Sequence, residues 1–235
     1  MEYQYIPAQE IENRLLTLRV EMSQQGWDAA LVVQNVDLLY FSGTMQDAVL
    51  FVPREGKEIL MVKKYEERAR RESSVELVIP LGSWKESSSL ITEYHGVLPQ
   101  KIGIELDVLP ARDYMRLQEI CGGAEIVDSS SMIKAIRKIK SAYEIDLMAK
   151  AGQIGRKVYA EMPGVLREGM TEIEVACILV ALAMRHGHQN YLRMRAFNAY
   201  AYSWHVLSGY TGGMLSYIDA PMGGMGLSPS FPVGA

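Results

Sequence analysis

Few side chains in this sequence combine the type and the setting that chemistry needs. His205 ends the string Tyr200-Ala201-Tyr202-Ser203-Trp204, and Leu207-Ser208-Gly209 follow it. An imidazole can take or give a proton near neutral pH. The rings of Tyr202 and Trp204 can offer faces to an apolar ring of a ligand, although aromatic side chains serve more often as core. The plainer reading of His205 is a histidine satisfied inside an aromatic cluster. His186 and His188 flank Gly187 at the expected end of a helix, where a positive imidazole suits the dipole. Two such rings fall short of the three or four ligands a zinc-type site needs. His95 ends another expected helix and reads the same way. Gly223-Gly224-Met225-Gly226 imitates a phosphate loop, but no strand pattern precedes it and no helix pattern follows. Cys121 and Cys177 have no ligand spacing and suit reduced thiols of a cytoplasmic protein. Lys134, Arg137, Lys138 and Lys140 form a basic face of the ordinary solvated kind.

The elements that must position these groups fall into two parts. Residues 9–25 read as an amphipathic helix, with Ile11, Leu15, Leu18 and Met22 on one face and Gly26 as the stop. Short apolar runs at 29–33, 48–52, 59–62, 75–79, 102–104 and 125–127 read as strands. Asn35 to Gly43 reads as a helical turn and loop. The segments 65–72, 83–94 and 110–120 read as helices, and Pro53-Arg54-Glu55-Gly56 as a hairpin turn. This alternation predicts an α/β domain with a mixed sheet over residues 1–130. A hinge follows at about 129–141. It closes at Ser141 with Glu144 three residues on, a capping box that opens a helix from Ala142 to Glu161. Pro163-Gly164 is expected to break that helix. Thr171 and Glu174 form a second capping box ahead of a helix from Glu172 to Arg185. That helix is apolar over most of its circumference and is expected to be buried. Tyr191 to Phe197, and part of Tyr200 to Leu207, read as strands.

Composition narrows the function. The chain has 235 residues and a net charge of -4, which argues against a general nucleic-acid binder. The N-terminus shows no signal-peptide pattern, and no apolar run is long enough for a membrane span. From Asn198 onward there is one carboxylate, Asp219, and no Lys or Arg. A stretch so poor in charge is expected to be covered, by further chain or by a second copy.

Several strings resemble one family. Arg14, Met22 and Gly26-Trp27-Asp28-Ala29-Ala30-Leu31, then Asn35-Val36-Asp37-Leu38-Leu39-Tyr40-Phe41-Ser42-Gly43, are similar to the creatinase/prolidase N-terminal domain. So are Ile102-Gly103-Ile104-Glu105 and Val127-Asp128. Ile136-Arg137-Lys138-Ile139-Lys140-Ser141 and Glu168-Gly169-Met170-Thr171-Glu172 resemble the opening of the pita-bread catalytic domain. The resemblance implies a mixed-sheet α/β domain over 1–130 and an incomplete α+β pita-bread domain over 131–235. It also implies a homodimer and a metallohydrolase of peptides with proline in second place. Two divalent ions (Mn, Co or Zn) in such enzymes activate a water and polarise the carbonyl. His205 then corresponds to a histidine that contacts substrate and could donate to a developing oxyanion, with Tyr202 and Trp204 beside it at the substrate.

The family's metal cage of two Asp, one His and two Glu cannot be assembled here. With Asp219 as the first aspartate of the pair, its partner position falls on Ser230, which is no ligand. The metal-binding strands are therefore expected after Ala235. No metal is expected on this chain, and by itself it is expected to be inactive. The alternatives are a non-catalytic binding module on the same fold and a creatinase-type amidinohydrolase.

Overall fold

The computed structural model describes residues 4–196, 204–216, 223, 224, 226 and 228. Two compact units divide the chain. The first comprises Met1–Lys140 with Arg195–Ala199, the second Ser141–Met194 with Tyr200–Ala235.

In the first unit helix α1 (Ala8–Gln25) comes first. It buries Ile11, Leu15, Leu18 and Met22, the stripe that the spacing of four, three and four demands. Gly26 stops it in the left-handed conformation at φ 67°. The chain then enters β1 (Ala29–Val32), every residue of which is buried. Asn35 to Ser42 forms a true helix, α2, rather than the turn and loop expected. Gln34 explains it, because its side chain accepts from the amides of Val36 and Asp37 and caps the first turn.

Strands β2 (Ala48–Pro53) and β3 (Ile59–Val62) form the expected antiparallel hairpin. Helix α3 (Glu66–Glu72) and strand β4 (Leu77–Pro80) follow. Next come α4 (Ser87–His95), β5 (Lys101–Ile104), α5 (Ala111–Ile120), β6 (Glu125–Asp128) and α6 (Ser130–Lys138).

The six-stranded sheet has the order β4-β3-β2-β1-β5-β6. β1 pairs antiparallel with β2 and parallel with β5, so the sheet is mixed. Strand alternation then sorts the core to two faces. Ala30, Val32, Leu50, Val52, Leu60 and Val62 meet α1 and α2 on one side. Leu31, Val49, Phe51, Met61, Ile102 and Ile104 meet Ile91, Leu117 and Ile120 on the other. This is the mixed-sheet α/β fold expected from the alternation of elements.

The second unit begins with α7 (Ala142–Val165) and α8 (Glu172–Arg185). α7 runs through Pro163 instead of breaking there. A proline within the last turn forfeits one backbone bond and kinks little of the helix beyond it. α8 is less buried than its composition suggested: only Leu179, Leu182 and Ala183 are. Among the described residues, it packs against α7 and the short stretch around Trp204. The strands expected at 191–197 and 200–207 are not found among the described residues there, and 197 and 200–203 lie outside them. Extended backbone becomes a strand only where a neighbour completes its ladder.

Candidate functional site

The surroundings of His205 are built from two locally encoded helix starts. At α7, Ser141 Oγ accepts from the amide of Glu144 at 3.1 Å, and the Ser141 amide donates to Glu144 Oε2 at 3.0 Å. At α8, Thr171 Oγ1 accepts from the Glu174 amide, and the Thr171 amide donates to Glu174 Oε2 at 2.8 Å. The Thr171 amide and hydroxyl both donate to Glu174 Oε2 and hold its carboxyl below the usual range. The helices meet through Val158, Leu179, Leu182 and Ala183, and Trp204 and Val206 pack on that cluster.

Trp204 stands edge-on to Tyr159 with ring centroids 5.6 Å apart. It is therefore a packing residue first. His205, next in the chain, has Nε2 2.8 Å from the carbonyl oxygen of Gly223. A carbonyl only accepts, so Nε2 carries a hydrogen, and in the neutral tautomer that does so the lone pair lies on Nδ1. Three residues on, the Ser208 amide donates to Glu172 Oε1 at 2.5 Å. Together these residues line a groove of about 480 Å³, with Met162 and Leu166 on the helix side and Leu207 on the other. Apolar side chains interrupted by His205, Arg167, Glu172 and Ser208 suit a small ligand with an apolar body and several polar contacts. Tyr202, the other sequence candidate for this wall, lies outside the described residues.

The remaining histidines have local partners. His186 Nε2 lies 2.5 Å from Glu161 Oε1, and His188 Nδ1 accepts from the Asn190 amide. His95 packs against Phe51. Cys121 is buried, which pushes its thiol up to about 11. Among the described residues no three His, Cys, Asp or Glu side chains converge on a cation position. They do not fit a pair of divalent ions, which need several anionic oxygens at once. Nor is any described helix long and apolar enough to cross a membrane.

A second polar cluster, which no motif in the sequence marks, lies in the first unit. Asp37 on α2 and Glu105 after β5 are both 0% exposed. Asp37 accepts from Arg137 of α6 at 2.6 Å through Oδ1 and from Arg195 Nε through Oδ2. Arg195 also donates to Asp107 at 2.8 Å, and Lys134 lies 2.5 Å from the same carboxylate. Partial burial pushes the Asp107 carboxyl up, but Arg195, Lys134 and Ser130 together hold it well below the usual range. Glu105 Oε2 accepts from the amides of Val33 and Gln34. The sign in the sequence was there: a carboxylate inside the apolar run from Asn35 to Phe41, and another closing the strand Ile102-Gly103-Ile104.

Comparison with known proteins fits both units. The Creatinase/Prolidase N-terminal domain profile matches residues 14–139, more than half of the chain. The chain belongs to the creatinase/prolidase family. The profile of Metallopeptidase family M24 matches residues 146–229, so the creatinase/prolidase domain is followed by the start of a catalytic domain. A probable dipeptidase, PepE, of Mycobacterium tuberculosis is 23% identical over 190 residues, covering 77% of this chain and 50% of the relative. A Xaa-Pro dipeptidase of Pyrococcus horikoshii is 26% identical over 168 residues, covering 71% of this chain and 46% of the relative. The chain thus spans about half the length of the curated relatives it matches. A Xaa-Pro dipeptidase from Bacillus anthracis superposes with a TM-score of 0.69 at 22% identity, over 76% of this chain and 50% of that one. In this creatinase/prolidase chain the family strings mark contacts as well as identity. Arg14 donates to the Tyr40 carbonyl at 2.9 Å and lies 4.0 Å over the Tyr40 ring.

Proposed function

We propose that this chain carries the N-terminal domain and the first part of the catalytic domain of a metal-dependent peptidase specific for proline in second position. The observation that supports it most is the pair of profile matches in order, creatinase/prolidase at 14–139 and M24 at 146–229. Relatives named as dipeptidases and Xaa-Pro dipeptidases match across both. The reaction class is hydrolysis of a peptide bond, in which divalent ions supply an activated water when bound. The described residues hold no place for those ions, and what they contribute is the groove.

His205 is proposed to contact the substrate, with the apolar faces of Trp204 and Tyr202 toward its proline ring. The tautomer sets a condition. Nε2–H already donates to Gly223, so His205 can accept a hydrogen bond through Nδ1 as it stands. To donate to an oxyanion it must either leave Gly223 or take a second proton. The free cysteines suit a reducing compartment, and we place the protein in the cytoplasm as a homodimer.

The test is hydrolysis of Xaa-Pro dipeptides and Xaa-Pro-Yaa peptides by the complete gene product, with creatine alongside. Chelator-sensitive cleavage confined to Xaa-Pro bonds is expected, with a loss of about 10²-fold in kcat/KM for His205→Ala, the scale for one oxyanion donor. Creatine hydrolysis without peptide cleavage, or cleavage indifferent to chelator, overturns the reading. The 235-residue chain alone is expected to show neither activity nor tightly held metal.

A further inference from the structure

Glu105 has one oxygen that the structure leaves without a donor. Oε2 accepts from two backbone amides, but Oε1 is buried with no hydrogen-bond partner of its own. Its side-chain neighbour is the carboxyl group of Asp37. Two ionised carboxylates offer acceptors only, so a bond between them requires a proton. Asp37 has both oxygens committed to guanidinium groups, Arg137 on one and Arg195 on the other. That favours Asp37 as the ionised member and Glu105 as the one that holds the hydrogen.

We propose that Glu105 and Asp37 share one proton, and that this acid pair is a pH-responsive clasp on Arg195, closed while the proton is present and loosened when it leaves. The charged groups around it are Asp37 on α2, Lys134 and Arg137 on α6, Asp107 and Asp128 beside the ends of β5 and β6, and Arg195 itself. The cations are aimed at Asp37 and Asp107 and not at Glu105. Asp128 is occupied by the Leu106 and Ser130 amides. Ionising Glu105 therefore places a second negative charge against Asp37 with no cation of its own to offset it. Burial first, then the Asp37 charge, push the Glu105 carboxyl up to about 8. Relief comes by moving Asp37 away, and Asp37 is what holds Arg195 Nε. Arg195 is thus a positioning residue. It fixes its own point in the chain within the first unit.

This inference rests on the first unit and stands apart from the peptidase reading. Two measurements on the 235-residue protein test it. Carbon-13 NMR of the side-chain carboxyl groups should show one glutamate, absent from Glu105→Gln, still protonated at pH 6 and titrating near pH 8. Trypsin cleavage of the Arg195–Ala196 bond, followed by mass spectrometry, should quicken at least fivefold from pH 6 to pH 9. That gain is taken relative to a free peptide of the same sequence. Glu105→Gln keeps a donor toward Asp37 without the titration, and should stay slow throughout. Arg195→Lys preserves charge and a trypsin site but loses the fork to Asp37 and Asp107; it should be cut quickly at both pH values. A Glu105 carboxyl already ionised at pH 6 overturns the proposal. So does cleavage at residue 195 with the same pH profile in wild type and Glu105→Gln.

Discussion

Trp27 lies directly over Gly103. A Cβ built on Gly103 would stand 2.6 Å from Trp27 Cζ3 and 2.7 Å from Cε3. The two residues come from separate family strings, one at the turn out of α1 and one inside β5. Ala30 and Gly103 are paired across β1 and β5, so the indole covers the sheet where those two strands meet. A hydrogen at position 103 is what lets Trp27 settle there.

Gly103→Ala should therefore destabilise the first unit by about 1–3 kcal/mol, the usual cost of overpacking a close-packed core. Urea unfolding would show a lower midpoint at unchanged slope. Gly103→Ala combined with Trp27→Leu should recover part of the loss, because the clash has gone. A Gly103→Ala protein as stable as wild type would place the indole elsewhere.

Stability should fall as pH rises through the range set by Glu105. The folded protein keeps a proton up to about pH 8 that the unfolded chain releases near 4.5. The contribution is complete below 4.5 and lost as pH rises through 8. Asp107 acts in the opposite sense. Its carboxyl is held low, so its contribution is present above the ordinary carboxylate range and lost in acid. Denaturant melts from pH 5 to 9 should slope downward for wild type and flatten for Glu105→Gln. A flat wild-type profile would mean that Glu105 is already charged.

Ser141→Ala and Thr171→Ala should each cost about 1 kcal/mol, the normal value of an N-cap side chain. The first should show more clearly in helix content at 222 nm. In α7, 24 residues long, Val158 is the one buried residue among those described. Packing does little there to replace a lost cap.

Trp204→Ala should destabilise the second unit by roughly 2–3 kcal/mol, below the 3–5 of a fully buried tryptophan because Trp204 is half-buried. Trp204→Phe, which keeps an edge contact with Tyr159, should lose less than half as much. Equal stability of all three proteins would remove Trp204 from the core and leave the groove as its whole role.

What the sequence disclosed was whatever is written locally. The stripe Ile11, Leu15, Leu18, Met22 and the hairpin Pro53-Arg54-Glu55-Gly56 depend on neighbours in the chain, and so do the two capping boxes. The errors have the opposite character. Tyr191 to Phe197 has strand-like residues, but a strand also needs a partner that periodicity cannot name. Pro163 signals a stop because proline usually is one, yet near a helix end it gives up a single bond. At the candidate site, Trp204 beside His205 is visible in the sequence, and the bond of His205 to Gly223 is not. The Asp37–Glu105–Arg195 cluster draws on three distant stretches, and only folding brings them together.

Arg195 belongs to the first unit although Ser141–Met194 lies between. A polypeptide ending at Lys140 would contain every strand of the sheet and still leave Asp37 with Arg137 alone and Asp107 with Lys134 alone. As the chain leaves the ribosome, those two acids wait for a cation made more than fifty residues after the rest of their surroundings. The N-terminal body can condense early, but its charges balance only once the second unit's helices have been synthesised.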